Sequence, residues 1–161
     1  VKHYAFNQME NARFKCSVTC DQRTEQEVYL PHFKDCVDAG AAGIMSSYNR
    51  YQGIHCGHHK YLLRQVLKKE WGFDGFVMSD FCWGVRDTVE AANGGQDMEM
   101  LWTEHFGSRL IKAVEDGFVP EENVNEAALH LIKSIRNMIC RWWDVRSTSR
   151  QQERRQRREL L

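Results

Sequence analysis

Proline is scarce, with two in 161 residues, and that scarcity argues against a long disordered linker and for a folded core. Paired cysteine spacing is also missing. Cys16, Cys20, Cys36, Cys56, Cys82 and Cys140 form no CxxC pattern, so neither a zinc site nor a disulfide framework is favoured, and reduced, buried thiols are expected. No apolar run approaches the roughly 20 residues of a membrane span. An excess of charge of either sign is lacking too, since 22 Lys and Arg balance 22 Asp and Glu. Such a chain has no overall field to draw it to nucleic acid or to an anionic membrane, and a neutral substrate suits it better. Val1-Lys2-His3 does not open a signal peptide and no initiator Met is present, so the start reads as a cut and leaves the compartment open.

What is present alternates between two periodicities. After an extended Val1 to Phe6 and a polar stretch to Asp21, Val28, Leu30, Phe33 and Val37 recur at helical spacing. Thr24 is the expected N-cap, with Glu27 three residues on as in a capping box, and Gly40 is the stop. Ala41 to Ser47 suits a buried parallel strand. A second helix carries Tyr61, Leu62, Val66 and Leu67, and Phe76-Val77-Met78 follows as a second buried strand. A short helix from Asp87 broken at Gly94-Gly95, a strand at Asp97 to Met100, and a helix from Glu104 to Asp116 come next. The last helix begins near Pro120 and carries Val124, Ala128, Leu131, Ile132 and Ile135 along one side. Strands alternating with helices imply parallel βα units, in an α/β barrel or a doubly wound sheet. A complete barrel usually needs about 250 residues, so a barrel reading implies a portion of one. The segment 141–161 is Arg-rich without apolar periodicity and is expected to be a disordered tail or a loosely held helix, distinct from residues 1–140.

In parallel α/β architectures the chemistry sits where strands open into βα loops. Three such places stand out: Lys2-His3, Met45 to Asn49, and Ser79-Asp80-Phe81. A carboxylate at Asp80 could attack an anomeric carbon, with Phe81 and Trp83 offering aromatic faces to a pyranose. On position alone, an N-cap role for Asp80 competes with the catalytic one. Lys2 and His3 could donate to sugar hydroxyls, though such a pair also occurs incidentally, and Tyr48 could be a core tyrosine with a satisfied hydroxyl. His55, His58 and His59 raise a metal hypothesis, but no Cys or carboxylate pattern accompanies them, and no metal or cofactor is expected. No Gly-rich phosphate loop follows a strand, which counts against a doubly wound nucleotide-binding domain.

Taken in order, these segments resemble family 3 glycoside hydrolases over about residues 1 to 136. Lys2-His3-Tyr4 is similar to that family's Lys-His-aromatic motif, and Glu10 to Arg13 to the Glu-x-x-Arg that follows. Arg23 to Phe33 resembles its helix signature, Met45-Ser46-Ser47-Tyr48-Asn49 its Met-Ser-x-Tyr-Asn segment, Trp71 to Phe81 its nucleophile motif, and Gly95 to Met100 its Gly-x-Asp-Met-Glu-Met segment.

The resemblance implies the C-terminal portion of a partial (β/α)8 TIM-type barrel acting on a β-glycoside or oligosaccharide. It implies Asp80 as nucleophile of a retaining double displacement. Lys2, His3, Met45 and Tyr48 would line the glycone subsite, and Phe81 would stand where Trp is usual. The first half of the barrel and an αβα sandwich domain would lie outside this chain. In two-domain members the acid/base Glu lies in that sandwich domain. Tyr4 to Met9 lacks the Phe-Pro-Gly-His-Gly stretch of the N-acetylglucosaminidase branch, which favours a β-glucosidase-like reading. A chain of this kind is expected to be inactive alone. The alternative is a truncated product that at most binds sugar or self-associates.

Overall fold

A computed structural model describes residues 1–159, with the side chains of residues 1–140. Its strands are β1 (Lys2–Tyr4), β2 (Ser17–Val18), β3 (Gly43–Ser46), β4 (Arg50–Tyr51), β5 (Ile54–His55) and β6 (Phe76–Met78). The helices are α1 (Gln22–Thr24), α2 (Pro31–Asp38), α3 (Thr88–Gly94), α4 (Ser108–Glu115) and α5 (Glu121–Glu159), with a wide-wound helix at Tyr61–Glu70.

β1, β3 and β6 form a parallel sheet in that order. Lys2 pairs with Met45, and Met45 in turn pairs with Met78, so three strands end at one level. Met98 adds a parallel bridge beside Met78, and Ser79 donates its N–H to the Met98 carbonyl at 2.8 Å. Ile44 and Val77 are fully buried at the centre of this sheet, as strands covered on both faces require. The expected strand at Asp97 to Met100 shrinks to that one bridge, because Met100 gives its N–H to the Ser79 hydroxyl instead of to a ladder partner.

The first helical segment departs from expectation at its start. Asp21, not Thr24, is the N-cap: its Oδ1 accepts the Thr24 N–H at 2.9 Å, because a short carboxylate there reaches the free first-turn donors. Glu27 pairs with Arg23 at 2.9 Å and takes no part in a capping box. Leu30 N–H reaches back five residues to the Glu25 carbonyl, and Pro31 then restarts the chain as α2. Pro31 has no N–H and its ring would clash with the preceding turn, so a regular helix cannot continue through it.

A hairpin absent from the sequence reading joins β3 to the wide helix: β4 and β5 pair antiparallel, and β2 adds to β4 in parallel. The helix expected from Glu104 starts only at Ser108, since Glu99 holds the His105 and Phe106 N–H groups outside it. The backbone of α5 runs to Glu159, through the Arg-rich segment. The side chains of 141–161, and residues 160–161 altogether, lie outside the described residues.

The core joins the sheet to its helices. Leu62, Leu63, Val66 and Leu67 are fully buried against Tyr4, Phe33, Ile44 and Val77, each contributing roughly 1.5–3 kcal/mol by leaving water. Phe6 stacks on Tyr51 at 4.1 Å, and Tyr4 meets Phe33 edge-on at 5.1 Å. The cysteines are free as expected, yet only Cys56 is buried; Cys16, Cys20, Cys36 and Cys82 are half-buried and Cys140 is exposed. Cys20 packs at the edge of the core beside Tyr51, and the other four lie on loops and outer helix faces. Burial pushes the Cys56 thiol up to about 11, so it stays protonated at neutral pH.

One carboxylate ties the layers together. Asp97 accepts the Val77 N–H at 2.8 Å, the Lys68 ammonium at 2.7 Å and a contact from His130 Nδ1 at 3.2 Å. It thereby links β6, the wide helix and α5. Removing it would leave a buried ammonium unpaired. Asp97→Ala should cost about 3–5 kcal/mol in urea unfolding, whereas Lys34→Ala, which breaks only the exposed Lys34–Asp38 pair, should cost under about 0.5 kcal/mol. Equal losses would show that Asp97 holds nothing together.

Candidate active site

Asp80 lies two residues beyond the end of β6, at the edge where β1 and β3 also finish. It is only 6% exposed. Its Oδ2 lies 3.4 Å from His3 Nε2, and its Oδ1 accepts the Phe81 N–H at 2.8 Å. The bond from its own neighbour's amide fixes the carboxylate's tilt and leaves the second oxygen turned to His3. Asp80 caps no helix, since the N-cap of α3 is Asp87, which takes the Glu90 N–H at 2.8 Å.

The loop from Asp80 folds back tightly on itself. A Cβ at Gly84 would stand 2.3 Å from the Asp80 carbonyl oxygen and 2.6 Å from its nitrogen, so only glycine permits this return. Tyr48 secures the same loop from the end of β3 by donating its hydroxyl to the Phe81 carbonyl at 2.5 Å. Burial, and then the nearby Asp80 carboxylate, push the Tyr48 phenol up to about 12. Both causes disfavour the phenolate, which keeps Tyr48 a donor at any working pH.

The structure therefore brings together His3, Tyr48, Asp80 and Phe81. Met45, 8% exposed, and Lys2 share a register level on β3 and β1. Lys2 itself is exposed and makes no ion pair among the described residues. Phe81 is 44% exposed.

Two neighbours were left without a role by the sequence reading. Arg13 places its guanidinium 5.0 Å from the Tyr48 ring centroid, and Phe14 packs against Tyr48 at 4.9 Å. The only sequence cue was Arg13 within Glu-x-x-Arg; loop proximity to Tyr48 has no periodic signature.

The histidines that raised a metal hypothesis have separate partners. His55 Nδ1 meets the Tyr48 carbonyl, His58 sits between Glu90 and the Arg86 N–H, and His59 faces the Leu62 N–H. Burial pushes all three below the ordinary histidine range, which favours neutral rings acting as packing and hydrogen-bonding groups. Glu99 is engaged by two backbone N–H groups, and Asp97 by Lys68, His130 and Val77. Asp97 cannot deliver a proton without breaking these bonds, whereas in Glu99 both N–H groups hold Oε2.

Proximity of Tyr48 to Asp80 can be read directly by titration. In Asp80→Asn, the Tyr48 pKa should fall from about 12 yet stay above roughly 10, because the carboxylate is gone while the burial remains. Tyrosine-selective carbon NMR across alkaline pH would measure it. An unchanged value would show that the two groups do not sense each other.

The chain matches the family model described as the glycosyl hydrolase family 3 N terminal domain over residues 1–134. It is 41% identical over 135 residues to a beta-glucosidase of Rhizobium radiobacter, covering 82% of this chain and 16% of that one. Beta-glucosidase BoGH3A of Bacteroides ovatus is 40% identical over 151 residues, covering 84% and 20%. Among solved structures, the beta-glucosidase DesR from Streptomyces venezuelae, in complex with D-glucose, superposes with a TM-score of 0.78 at 33% identity, covering 84% of this chain and 19% of that one. The chain thus spans about a fifth or less of the length of the relatives it matches. With its mixed α/β fold and an ordered run of family motifs from Lys2 to Met100, the chain belongs to glycosyl hydrolase family 3.

Proposed function

We propose that this chain is the C-terminal portion of the catalytic barrel of a longer retaining β-glucosidase, with Asp80 as its nucleophile. The carrying observation is the buried Asp80 carboxylate at the end of a parallel strand, 3.4 Å from His3 and braced by Tyr48. The spatial order β1, β3, β6, then Met98, follows chain order, which is how a barrel wall accumulates. That relatives are named beta-glucosidases supports glucose as the terminal sugar.

In this reading Asp80 attacks the anomeric carbon, the bond to the leaving oxygen breaks, and water later hydrolyses the glycosyl ester. Lys2, His3, Met45, Tyr48 and Phe81 line the sugar subsite, and Arg13 joins them through its contact with Tyr48. Hydrogen bonds from Lys2 and His3 to the sugar hydroxyls would hold the ring in place against Asp80. The chain needs no cofactor. The proton for the leaving oxygen comes from a sandwich domain of the parent, where two-domain members of the family carry their acid/base Glu. The parent's partner is a β-glycoside or oligosaccharide.

A non-catalytic product that binds sugar or self-associates is the second reading, favoured by coverage of only 16% to 20% of the first relatives.

Leaving groups separate the two. A nitrophenyl β-glucoside profits from protonation, worth about 10² to 10⁴-fold, whereas a dinitrophenolate departs without it. The purified chain should match buffer on the first substrate and release dinitrophenolate slowly from the second, with Asp80→Ala abolishing that release. Release that is unaffected by Asp80→Ala would contradict the nucleophile. Robust nitrophenyl turnover lost in Asp80→Ala would place an acid within this chain.

A further inference from the structure

The loop that carries Asp80 is held at its near end by Tyr48 and at its far end by a histidine outside the proposed sugar subsite. His58 closes the short turn Cys56–His58 between β5 and the wide helix. Its ring is only 1% exposed, and its Nε2 accepts the Arg86 N–H at 3.0 Å. Arg86 ends the loop, next to the Asp87 cap of α3.

Packing presses turn, loop and helix together at this point. A Cβ at Gly57 would stand 2.7 Å from the Gly84 carbonyl oxygen, and one at Gly94 2.4 Å from the His58 carbonyl oxygen. Val85, between Gly84 and Arg86, is buried. The turn therefore touches the loop on one side and α3 on the other.

These partners fix the ring's proton. A backbone N–H only donates, so Nε2 is bare and the one ring proton sits on Nδ1, where Glu90 Oε2 accepts it at 3.2 Å. A second proton would set N–H against N–H at Nε2, and the loop would lose its hold.

Burial is the largest influence on that second proton and holds His58 below the ordinary histidine range. The bond to Glu90 opposes this; His55 on β5, its ring 5.6 Å away, adds to it, and Asp87 opposes it. On the wide helix, Arg64 is engaged by Glu126 and by the Asn93 and Ala92 carbonyls. In an open loop the histidine returns to its ordinary value of about 6.5. The advantage of the closed loop is thus complete above that value and is lost as pH falls below it.

We propose that His58 is a positioning residue of the Asp80 loop: its neutral ring holds the loop closed through the Arg86 N–H, and acid releases it. Its bearing on catalysis rests on the reading of Asp80 as nucleophile.

Nitrogen NMR of the purified chain reads the tautomer, and amide hydrogen exchange reads the hold. At about pH 7.5 His58 should show a bare Nε2 and a protonated Nδ1. Between about pH 7.5 and about pH 5 the Arg86 amide should lose about tenfold in protection, measured against an unstructured amide at the same pH, the order of one hydrogen bond. The Val77 amide should keep its protection. His58→Gln, whose side-chain carbonyl can accept the same N–H without titrating, should protect Arg86 at both pH values. Glu90→Gln, a change at a 70% exposed carboxylate, should move the release to lower pH. Capture of a fluorinated dinitrophenyl glucoside on Asp80 should slow more in acid in the native chain than in His58→Gln, by about the same factor. A protonated Nε2 at neutral pH, unchanged Arg86 protection, equal loss at Val77, or equal acid slowing of capture in the two chains would overturn the proposal. Capture on another carboxylate, with the release of Arg86 intact, would instead overturn the nucleophile reading and leave the hold on the loop standing.

Discussion

Everything at the candidate site depends on where β6 stops, and that is set by Asp97. Its carboxylate and backbone occupy both main-chain groups of Val77: the Val77 N–H goes to Asp97 Oδ2, and the Val77 carbonyl accepts the Asp97 and Met98 N–H groups. The same side chain neutralises Lys68 and touches His130. Strand, wide helix and α5 are thus fixed relative to one another by a single buried group. A one-residue slip of β6 would turn Val77 out of the core and Asp80 away from His3, so pairing energy and site geometry oppose it together.

Above that register the site is a matter of short-range bracing. Tyr48 comes from β3, His3 from β1 and Asp80 from β6, and they meet because three parallel strands end at one level. Glycine at position 84 allows the loop to return over Asp80, and the Tyr48 hydroxyl holds its Phe81 carbonyl. The arrangement orients the Asp80 carboxylate and sets donors beside it. Glu99 Oε2 and the Asp97 carboxylate are meanwhile held by donors of their own.

Much of this was legible beforehand where burial dictated it. Ile44-Met45 and Phe76-Val77-Met78 are apolar runs bounded by turns, and strands covered on both faces leave little choice of residue there. Asp80, His3 and the segment holding Tyr48 stand out by position at strand ends, and the family resemblance implies their roles. The hairpin Arg50–His55 was not legible, since two-residue strands are too short to display a period. Glu27 has the spacing of a capping box with Thr24, but it pairs locally with Arg23 four residues before it, and Asp21 takes the Thr24 N–H. Arg13 has a cue only in the Glu-x-x-Arg segment and Phe14 has none, because their meeting with Tyr48 is made by loop folding alone.

The claim that Asp80 is the nucleophile is tested most directly by covalent capture. A fluorinated dinitrophenyl β-glucoside needs no general acid to depart, and the fluorine slows hydrolysis of the resulting ester, so the adduct should persist. Proteolysis and mass spectrometry should then find one added glycosyl mass, on Asp80, and none on Asp80→Ala. A label on Glu99, Asp97 or any other carboxylate, with Asp80 unmodified, would contradict the account.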